Sequence, residues 1–230
     1  MRIITAEDNK EFYSKLSQLP YLTTLIPISE GLGKELGTIQ KQLRSIDNRQ
    51  IYHHPSYFHI TIKEIGWLGE EIKEENLTEI KDKVEEVASS TGPFFLTLRG
   101  LNIWPTVIYA EVQEGREQVR QLHLKMRREP RGYTVADSRY EGEMMHPHVT
   151  VATFAVGDVD QLIQETKQFE TTNIGRMNVD KIWLVKTIPH RVSGKSEERA
   201  SFLEEIASFP LTGAPGPKLA KADSPGARPT

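Results

Sequence analysis

The chain has 230 residues, 37% of them hydrophobic and 27% charged, and it contains no cysteine. This composition is typical of a globular protein with one sizeable core or two small lobes, and the missing cysteines exclude disulfides, iron–sulfur clusters and thiolate zinc sites. The net charge of −3 argues against a protein that tracks along nucleic acid, because such proteins usually carry a basic surface.

The predicted elements alternate between helices and strands, as judged from the spacing of apolar residues and from caps such as Ser29. The predicted helices cover 7–19, 29–46, 70–88, 116–128, 158–169 and 196–208. The predicted strands cover 21–28, 57–65, 94–103, 106–112, a segment that begins at 148, and 172–187 as one bent strand or two short ones.

The chain contains no apolar run long enough to cross a bilayer and no signal peptide at its N-terminus. We therefore expect a cytoplasmic protein without a membrane partner. A monomer is the favoured oligomeric state, although the sequence does not determine it.

The same pattern of histidine, aliphatic residue, threonine and aliphatic residue occurs twice, at His59 and Thr61 and again at His148 and Thr150. Side chains alternate between faces along a strand, so each histidine shares a face with its threonine while the aliphatic residues point into the core. One histidine in a strand is more often structural than catalytic. Two such histidines in matched strands instead favour a pair of similar polar sites, each with one imidazole and one hydroxyl. In-line displacement at a phosphate requires such a pair, with a base on one side of the phosphorus and an acid on the other.

Each motif strand is followed by a turn and an amphipathic helix, which indicates two related lobes. Pro27 at an edge or strand end, and an antiparallel hairpin of 94–103 and 106–112, argue against a fully parallel sheet. We predict an α+β fold with two pseudo-symmetric lobes of mainly antiparallel sheet, outer helices and a central cleft. Residues 1–209 are predicted to form this single bilobal domain, and 210–230, poor in apolar residues, a disordered tail.

The segments 58–62 and 147–151 resemble the paired His-x-Thr/Ser-x motifs of the 2H phosphoesterase superfamily, which includes 2′-5′ RNA ligase-like proteins and 2′,3′-cyclic phosphodiesterases. The order of elements over about 21–187, with a Trp-Pro junction at Trp104, is similar to that family too. Many members carry a basic residue soon after the second motif, where this chain has Ala-Thr-Phe at 152–154. This departure leaves the identity of the substrate open.

The resemblance implies a metal-independent phosphodiesterase without a cofactor, acting on 2′,3′-cyclic phosphate ends or 2′-5′ phosphodiester bonds of RNA or nucleotides. One of His59 and His148 would act as the base and the other as the acid, since the unperturbed pKa of imidazole is about 6.5. Thr61 and Thr150 would donate hydrogen bonds to the phosphate oxygens. The same pair could also run the reaction backwards as a 2′-5′ ligation.

The expected partner is a nucleotide or an RNA end rather than a long nucleic acid, because the chain is not basic. Two alternatives to the leading hypothesis stay open. One is hydrolysis of another cyclic nucleotide or oligonucleotide. The other is a non-catalytic RNA- or nucleotide-binding module, which would not need both imidazoles.

Four further residues are candidates for substrate binding. Tyr57, Lys63 and Phe154 share strand parity with the motif residues, so the sequence predicts that they face the cleft. Tyr57 or Phe154 could stack on a base and Lys63 could offset phosphate charge; the alternative is a packed aromatic residue and a solvated lysine. Tyr140, in the long loop 129–147, is the fourth candidate.

Two apparent motifs are discounted. The glycines within 31–37 follow a strand, but their spacing differs from that of a dinucleotide-binding turn. The histidine pairs at 53–54 and at 146 and 148 lack carboxylate partners at a fixed spacing, so no metal site is predicted.

Overall fold

The computed structural model describes residues 2–127, 145–189 and 201–214. Within these residues the chain forms five α-helices and eight β-strands. The helices are α1 (Lys10–Leu16), α2 (Glu30–Ile46), α3 (Leu77–Ser89), α4 (Arg116–Arg127) and α5 (Asp160–Thr166). The strands are β1 (Tyr21–Pro27), β2 (His59–Trp67), β3 (Phe94–Ile103), β4 (Val107–Glu114), β5 (His148–Thr153), β6 (Asn173–Val179), β7 (Lys181–Pro189) and β8 (Ser201–Pro210). None of the helices in the described ranges is long and apolar enough to cross a membrane.

The strands form two four-stranded sheets in which neighbouring strands are antiparallel. The first sheet has the order β2-β1-β7-β8 and the second has the order β5-β4-β3-β6. The strands that carry the histidine–threonine motifs, β2 and β5, are edge strands, one in each sheet, and they lie against each other. This arrangement confirms the predicted α+β fold with two antiparallel lobes and a cleft where they meet.

One hydrophobic core joins the two lobes. Leu32, Leu36 and Leu43 on the inner face of α2 are buried, where the helix packs against β5 and β6. The same core contains Ile60 of β2 and Val149 of β5, both fully buried. Because a densely packed core resists relative movement of its parts, the two motif strands are held in one arrangement.

The strand β8 differs from the prediction. The sequence predicts a helix over 196–208, but the chain forms a strand that pairs with β7 along its whole length. The prediction is wrong because Ile206 forms a β-bulge within β8 and shifts its register against β7. The bulge interrupts the alternation of side chains between the two faces of the strand. The apolar residues Leu203, Ile206 and Phe209 therefore recur every three residues, a spacing that resembles that of a helix.

Most other elements lie within a few residues of their predicted bounds. Segment 172–187 forms two strands, β6 and β7, which belong to different sheets. The helix predicted over 70–88 begins at Leu77. Pro27 is the last residue of β1, a position that suits a residue without a backbone N–H.

The packed part of the chain continues past the predicted boundary at 209. Leu211 is buried, and its backbone N–H donates to the carbonyl oxygen of Asp180 at 2.8 Å. The N–H of Gly213 donates to the carbonyl oxygen of Thr91 at 3.1 Å. The rest of the predicted tail, 215–230, lies outside the described residues.

At Gly100, strand β3 passes close to the segment after α5. A substitution at this position tests that close approach. Its φ is +76°, and an added Cβ would lie 2.2 Å from the carbonyl oxygen of Glu170. We expect Gly100→Ala to lower the free energy of unfolding by about 1–3 kcal/mol, through strain and the clash. Gly33→Ala is the control, because a Cβ there meets nothing within 4 Å and alanine favours a helix by about 0.5–1 kcal/mol. Urea denaturation followed by circular dichroism measures both, and equal stability of the two variants would contradict the expectation.

Candidate active site

A cavity of about 600 Å³ lies where the two motif strands meet. It is lined by His59 and Thr61 of β2 and by His148 and Thr150 of β5. Its volume falls in the range of roughly 300–1,000 Å³ that is usual for small-molecule sites. The structure thus brings the four predicted catalytic residues together on one cavity.

The pleat of each strand gives these side chains their direction. Along β2, Ile60 is fully buried, whereas His59 and Thr61 on either side of it are half-buried. In β5 the buried Val149 is flanked in the same way by its histidine and threonine. Alternation between core and cleft therefore anchors each strand through its aliphatic residues and presents one imidazole and one hydroxyl.

Both imidazoles are held by a hydrogen bond to a carbonyl two residues earlier in the chain. Nδ1 of His59 lies 2.6 Å from the carbonyl oxygen of Tyr57, and Nδ1 of His148 lies 3.0 Å from that of His146. A carbonyl oxygen can only accept, so Nδ1 carries the hydrogen in each ring. In the neutral state Nε2 is consequently the acceptor nitrogen of both imidazoles.

Burial favours the neutral form of both rings. It lowers the pKa of His59, against the opposing effect of the hydrogen bond to Tyr57. The pKa of His148 is lowered to about 4, mainly by burial and also by positive charge on His59 and His146, against the opposing effect of the hydrogen bond to the carbonyl oxygen of His146.

Aromatic rings surround the imidazole of His148. Trp104 packs edge-on against it with 4.5 Å between ring centroids, and Tyr109 does so at 5.4 Å. Sequence reasoning noted Trp104 only as part of a Trp-Pro junction and missed Tyr109. The signal for Tyr109 is its position in the register opposite Thr150, which the sequence does not reveal before the strand pairing is known.

The predicted substrate residue Tyr57 does line the cavity. Its ring packs edge-on against His59 at 5.0 Å and stacks on His53 at 4.3 Å. His53 and His146 also line the cavity, and burial lowers the pKa of His53 to about 3. Among the described residues, no group of three or more His, Asp or Glu side chains is placed to hold a metal ion.

The expectation that Lys63 faces the cleft is wrong. Its side chain is 1% exposed, and it is not among the described residues that line the cavity. The register between β1 and β2 shifts after Thr61, because Ile62 forms a β-bulge. The bulge moves the next cavity-facing position to Glu64, which lines the cavity instead.

The expectation for Phe154 is wrong for the same reason. Its side chain is fully buried, because a second bulge at Val151 shifts the register between β4 and β5. Thr153 lines the cavity in its place. Tyr140 lies outside the described residues, so its predicted contact with the substrate has no structural description.

Two connections tie the segment before β2 to β5. Ile51 and Thr153 exchange two backbone hydrogen bonds of 2.9 and 3.0 Å. The buried Gln40 of α2 donates from Nε2 to the carbonyl oxygens of His53 and Val151, both at 3.0 Å. Val151 is the bulged residue without a partner in the β4 register, so the side chain of Gln40 satisfies a carbonyl that the ladder leaves out.

Comparison with known proteins agrees with this geometry. Residues 31–191 match the family model of the 2′-5′ RNA ligase superfamily. The chain therefore belongs to this superfamily of 2H phosphoesterases, as its two motifs predict.

Three proteins are similar to this chain. An RNA 2′,3′-cyclic phosphodiesterase of Methanothermobacter thermautotrophicus is 25% identical over 167 residues, which are 70% of this chain and 86% of that protein. TT0787 of Thermus thermophilus is 18% identical with a TM-score of 0.62, over 84% of this chain and 99% of that one. LigT of E. coli, solved as a complex with 3′-AMP, is 13% identical with a TM-score of 0.63, over 85% of this chain and 99% of that one. At these identities the two structural matches establish a shared fold.

The pKa of His148 can be tested directly by NMR titration of its ring carbons. We expect a midpoint near pH 4 in the folded, ligand-free protein and near 6.5 in the urea-unfolded chain. Between these values the unfolded state binds more protons, so the free energy of unfolding falls as the pH drops from about 6.5 towards 4. His148→Gln assigns the signal, and a midpoint in the folded protein close to that of the unfolded chain would contradict the expected burial.

The role of Gln40 is tested by Gln40→Leu. The substitution leaves two buried carbonyl oxygens without this donor, and we expect it to lower the free energy of unfolding by about 1–3 kcal/mol. Gln42→Leu, on the exposed face of the same helix, is the matched control. If denaturant titration finds the two variants equally stable, the connection between α2 and the motif segments contributes nothing measurable.

Proposed function

We propose that this protein is a metal-independent phosphodiesterase that hydrolyses 2′,3′-cyclic phosphate ends of nucleotides or RNA. The observation that carries the proposal is the pair of imidazoles on one cavity, both with Nε2 as the acceptor nitrogen and each with a threonine two residues along. The relative from Methanothermobacter is named for this activity on RNA, and LigT binds a ribonucleoside 3′-phosphate. Both support a nucleotide substrate for this chain.

In the proposed reaction the two histidines act on opposite sides of the phosphorus. The neutral imidazole accepts a proton from water at Nε2 while the water oxygen forms a bond to phosphorus. The bond from phosphorus to one ribose oxygen breaks in line with this attack, and the other histidine, protonated, gives its Nε2 proton to that oxygen. His59 and His148 make the same hydrogen bond through Nδ1, so either can be the base or the acid.

The acid must be protonated although burial disfavours its charged form. The negative phosphate supplies the compensation, since an anion between the two rings stabilises an imidazolium and raises its pKa. Substrate binding and proton uptake are therefore coupled in this proposal. Expulsion of water from the cavity strengthens the same interaction, because charges attract more strongly at low dielectric.

The threonines serve the phosphate oxygens that do not take part in bond exchange. Thr61 and Thr150 donate hydrogen bonds to these oxygens, which gain negative charge in the transition state. Tyr57, next to His59, contacts the ribose or base. By microscopic reversibility the same groups join a cyclic phosphate to a free hydroxyl as a 2′-5′ bond.

Turnover of nucleoside 2′,3′-cyclic phosphates in the presence of EDTA tests the proposal. We expect wild-type turnover to survive chelation, and His59→Ala and His148→Ala each to lower kcat by roughly 10²–10⁴-fold, as removal of an acid or base does. His54→Asn is the control: His54 is exposed and caps a short turn by accepting from the N–H of Ser56, which asparagine also does.

Three outcomes would contradict parts of the proposal. Loss of wild-type turnover with EDTA would contradict metal independence. Equal activity of the two alanine variants and the wild type would contradict paired acid–base catalysis. Tight binding of a 3′-nucleotide with no turnover of any cyclic phosphate would identify a nucleotide-binding module instead.

A further inference from the structure

The cavity extends beyond the motif residues into a second region, which we call the aromatic arm. It is lined by Phe12 and Tyr13 of α1, by Tyr21 of β1, and by Trp67 and Glu64 of β2. These residues belong to one lobe, so the arm opens from the His59 side of the cavity. Tyr57 and His59 line the same cavity as Tyr13 and Glu64.

Phe12 is the exposed ring of the arm, whereas Tyr21 and Trp67 line the cavity from a small buried cluster with Leu16 and are each 7% exposed. Phe12 is 43% exposed although it contacts Tyr21 at 5.8 Å and Trp67 at 5.4 Å between ring centroids. Tyr21 and Trp67 meet at 4.7 Å with an interplanar angle of 61°. These contacts between the rings are tilted or edge-to-face rather than stacked. Aromatic rings beside a nucleotide site commonly stack on the base.

Glu64 is the charged residue of the arm. The bulge at Ile62 turns its side chain to the cavity, and the hydroxyl of Tyr21 donates to Oε2 of Glu64 at 3.4 Å, which orients the carboxylate. A carboxylate repels a phosphate and only accepts hydrogen bonds. Its presence in a cavity for phosphate esters therefore points to the donor edge of a ligand rather than to its phosphate.

The spacing along β2 suits one nucleotide. Glu64 follows Thr61 by three residues, which corresponds to at most about 10 Å along the strand, because the bulge at Ile62 lies between them. A phosphate held at Thr61 thus carries its ribose and base towards the arm. Thr23, opposite Glu64 in the register of β1 and β2, also lines the cavity and adds a hydroxyl beside the carboxylate.

We propose that the aromatic arm binds a guanine base, with the carboxylate of Glu64 accepting hydrogen bonds from guanine N1–H and the 2-amino group. Guanine is the base that presents two adjacent donors, which match the two oxygens of a carboxylate. Adenine and cytosine present one amino group next to an acceptor nitrogen, and uracil presents one N–H between two carbonyl oxygens. The Thr23 hydroxyl donates to guanine O6. This inference rests on the proposed function for the position of the phosphate.

The four nucleoside 2′,3′-cyclic phosphates provide the test. For the wild type we expect kcat/KM for the guanosine substrate to exceed that for the uridine substrate at least tenfold, the effect of about one charge-assisted hydrogen bond. Glu64→Gln, whose amide turns a donor towards a donor, should remove most of this preference by lowering kcat/KM for the guanosine substrate several-fold more than kcat/KM for the uridine substrate. Glu79→Gln, an exposed carboxylate in the first turn of α3, is the control and should keep the wild-type preference.

Calorimetric binding of 3′-GMP and 3′-UMP to the wild type separates the two proposals. Tighter binding of 3′-GMP by tenfold or more, with no turnover of any cyclic phosphate, would overturn the proposed function and support the guanine site. Turnover of all four substrates at similar kcat/KM, or a preference for another base, would overturn the guanine site and support the proposed function. The wild-type panel gives this answer even if Glu64→Gln does not fold.

Discussion

Two imidazoles from distant parts of a chain act on one phosphate only when the strands that carry them are held at a fixed separation. For the reaction proposed for this protein, that constraint falls on the contact between two sheet edges, β2 and β5. Edge strands have no ladder partner on their outer side, so the sheets themselves do not join them. The shared hydrophobic core, the bridge between Ile51 and Thr153, and the amide of Gln40 supply the connection. The geometry of the candidate site is thus a property of the interface between lobes.

The electrostatics of the site depend on the same closeness of the lobes. Burial between them keeps His59 and His148 neutral without a ligand. A neutral ring suits a base, whereas the acid requires a proton, and two buried charged rings side by side would repel. In the proposed reaction a bound phosphate resolves this conflict, because its charge favours one imidazolium while the other ring stays neutral. Under that proposal the site is arranged for the anion rather than for the empty cavity.

The sequence predicts that each motif pair shares one face of its strand, because the pattern is local. A histidine and a threonine separated by one aliphatic residue need only a regular pleat to share a face, and both pairs lie on the cavity. The antiparallel lobes follow from the order of elements in the same way. Tyr109 and Gln40 act through pairing and packing with remote segments, so no pattern near them in the sequence indicates their position.

The wrong predictions have one physical cause. The predictions that Lys63 and Phe154 face the cleft and that 196–208 form a helix each assume uninterrupted periodicity, and in each case a β-bulge interrupts it. A bulge adds one residue to a strand and reverses the faces of all residues after it. Neither motif bulge contains a glycine or proline, and so the usual signals of an irregular strand are missing.

The two motif bulges occupy equivalent places, since Ile62 directly follows Thr61 and Val151 directly follows Thr150. In each lobe the side chains alternate regularly through the histidine and the threonine, and the bulge then reverses the alternation. The matched polar pair is therefore confined to the start of the strand. The second residue after each bulge faces the cavity again, Glu64 in one lobe and Thr153 in the other. The same backbone device therefore gives two chemically different surroundings, a carboxylate on the His59 side and a hydroxyl on the His148 side. In the proposed reaction a symmetric pair of imidazoles exchanges protons with either side of a phosphate, whereas under the proposed guanine site this asymmetry favours one orientation of the nucleoside attached to it.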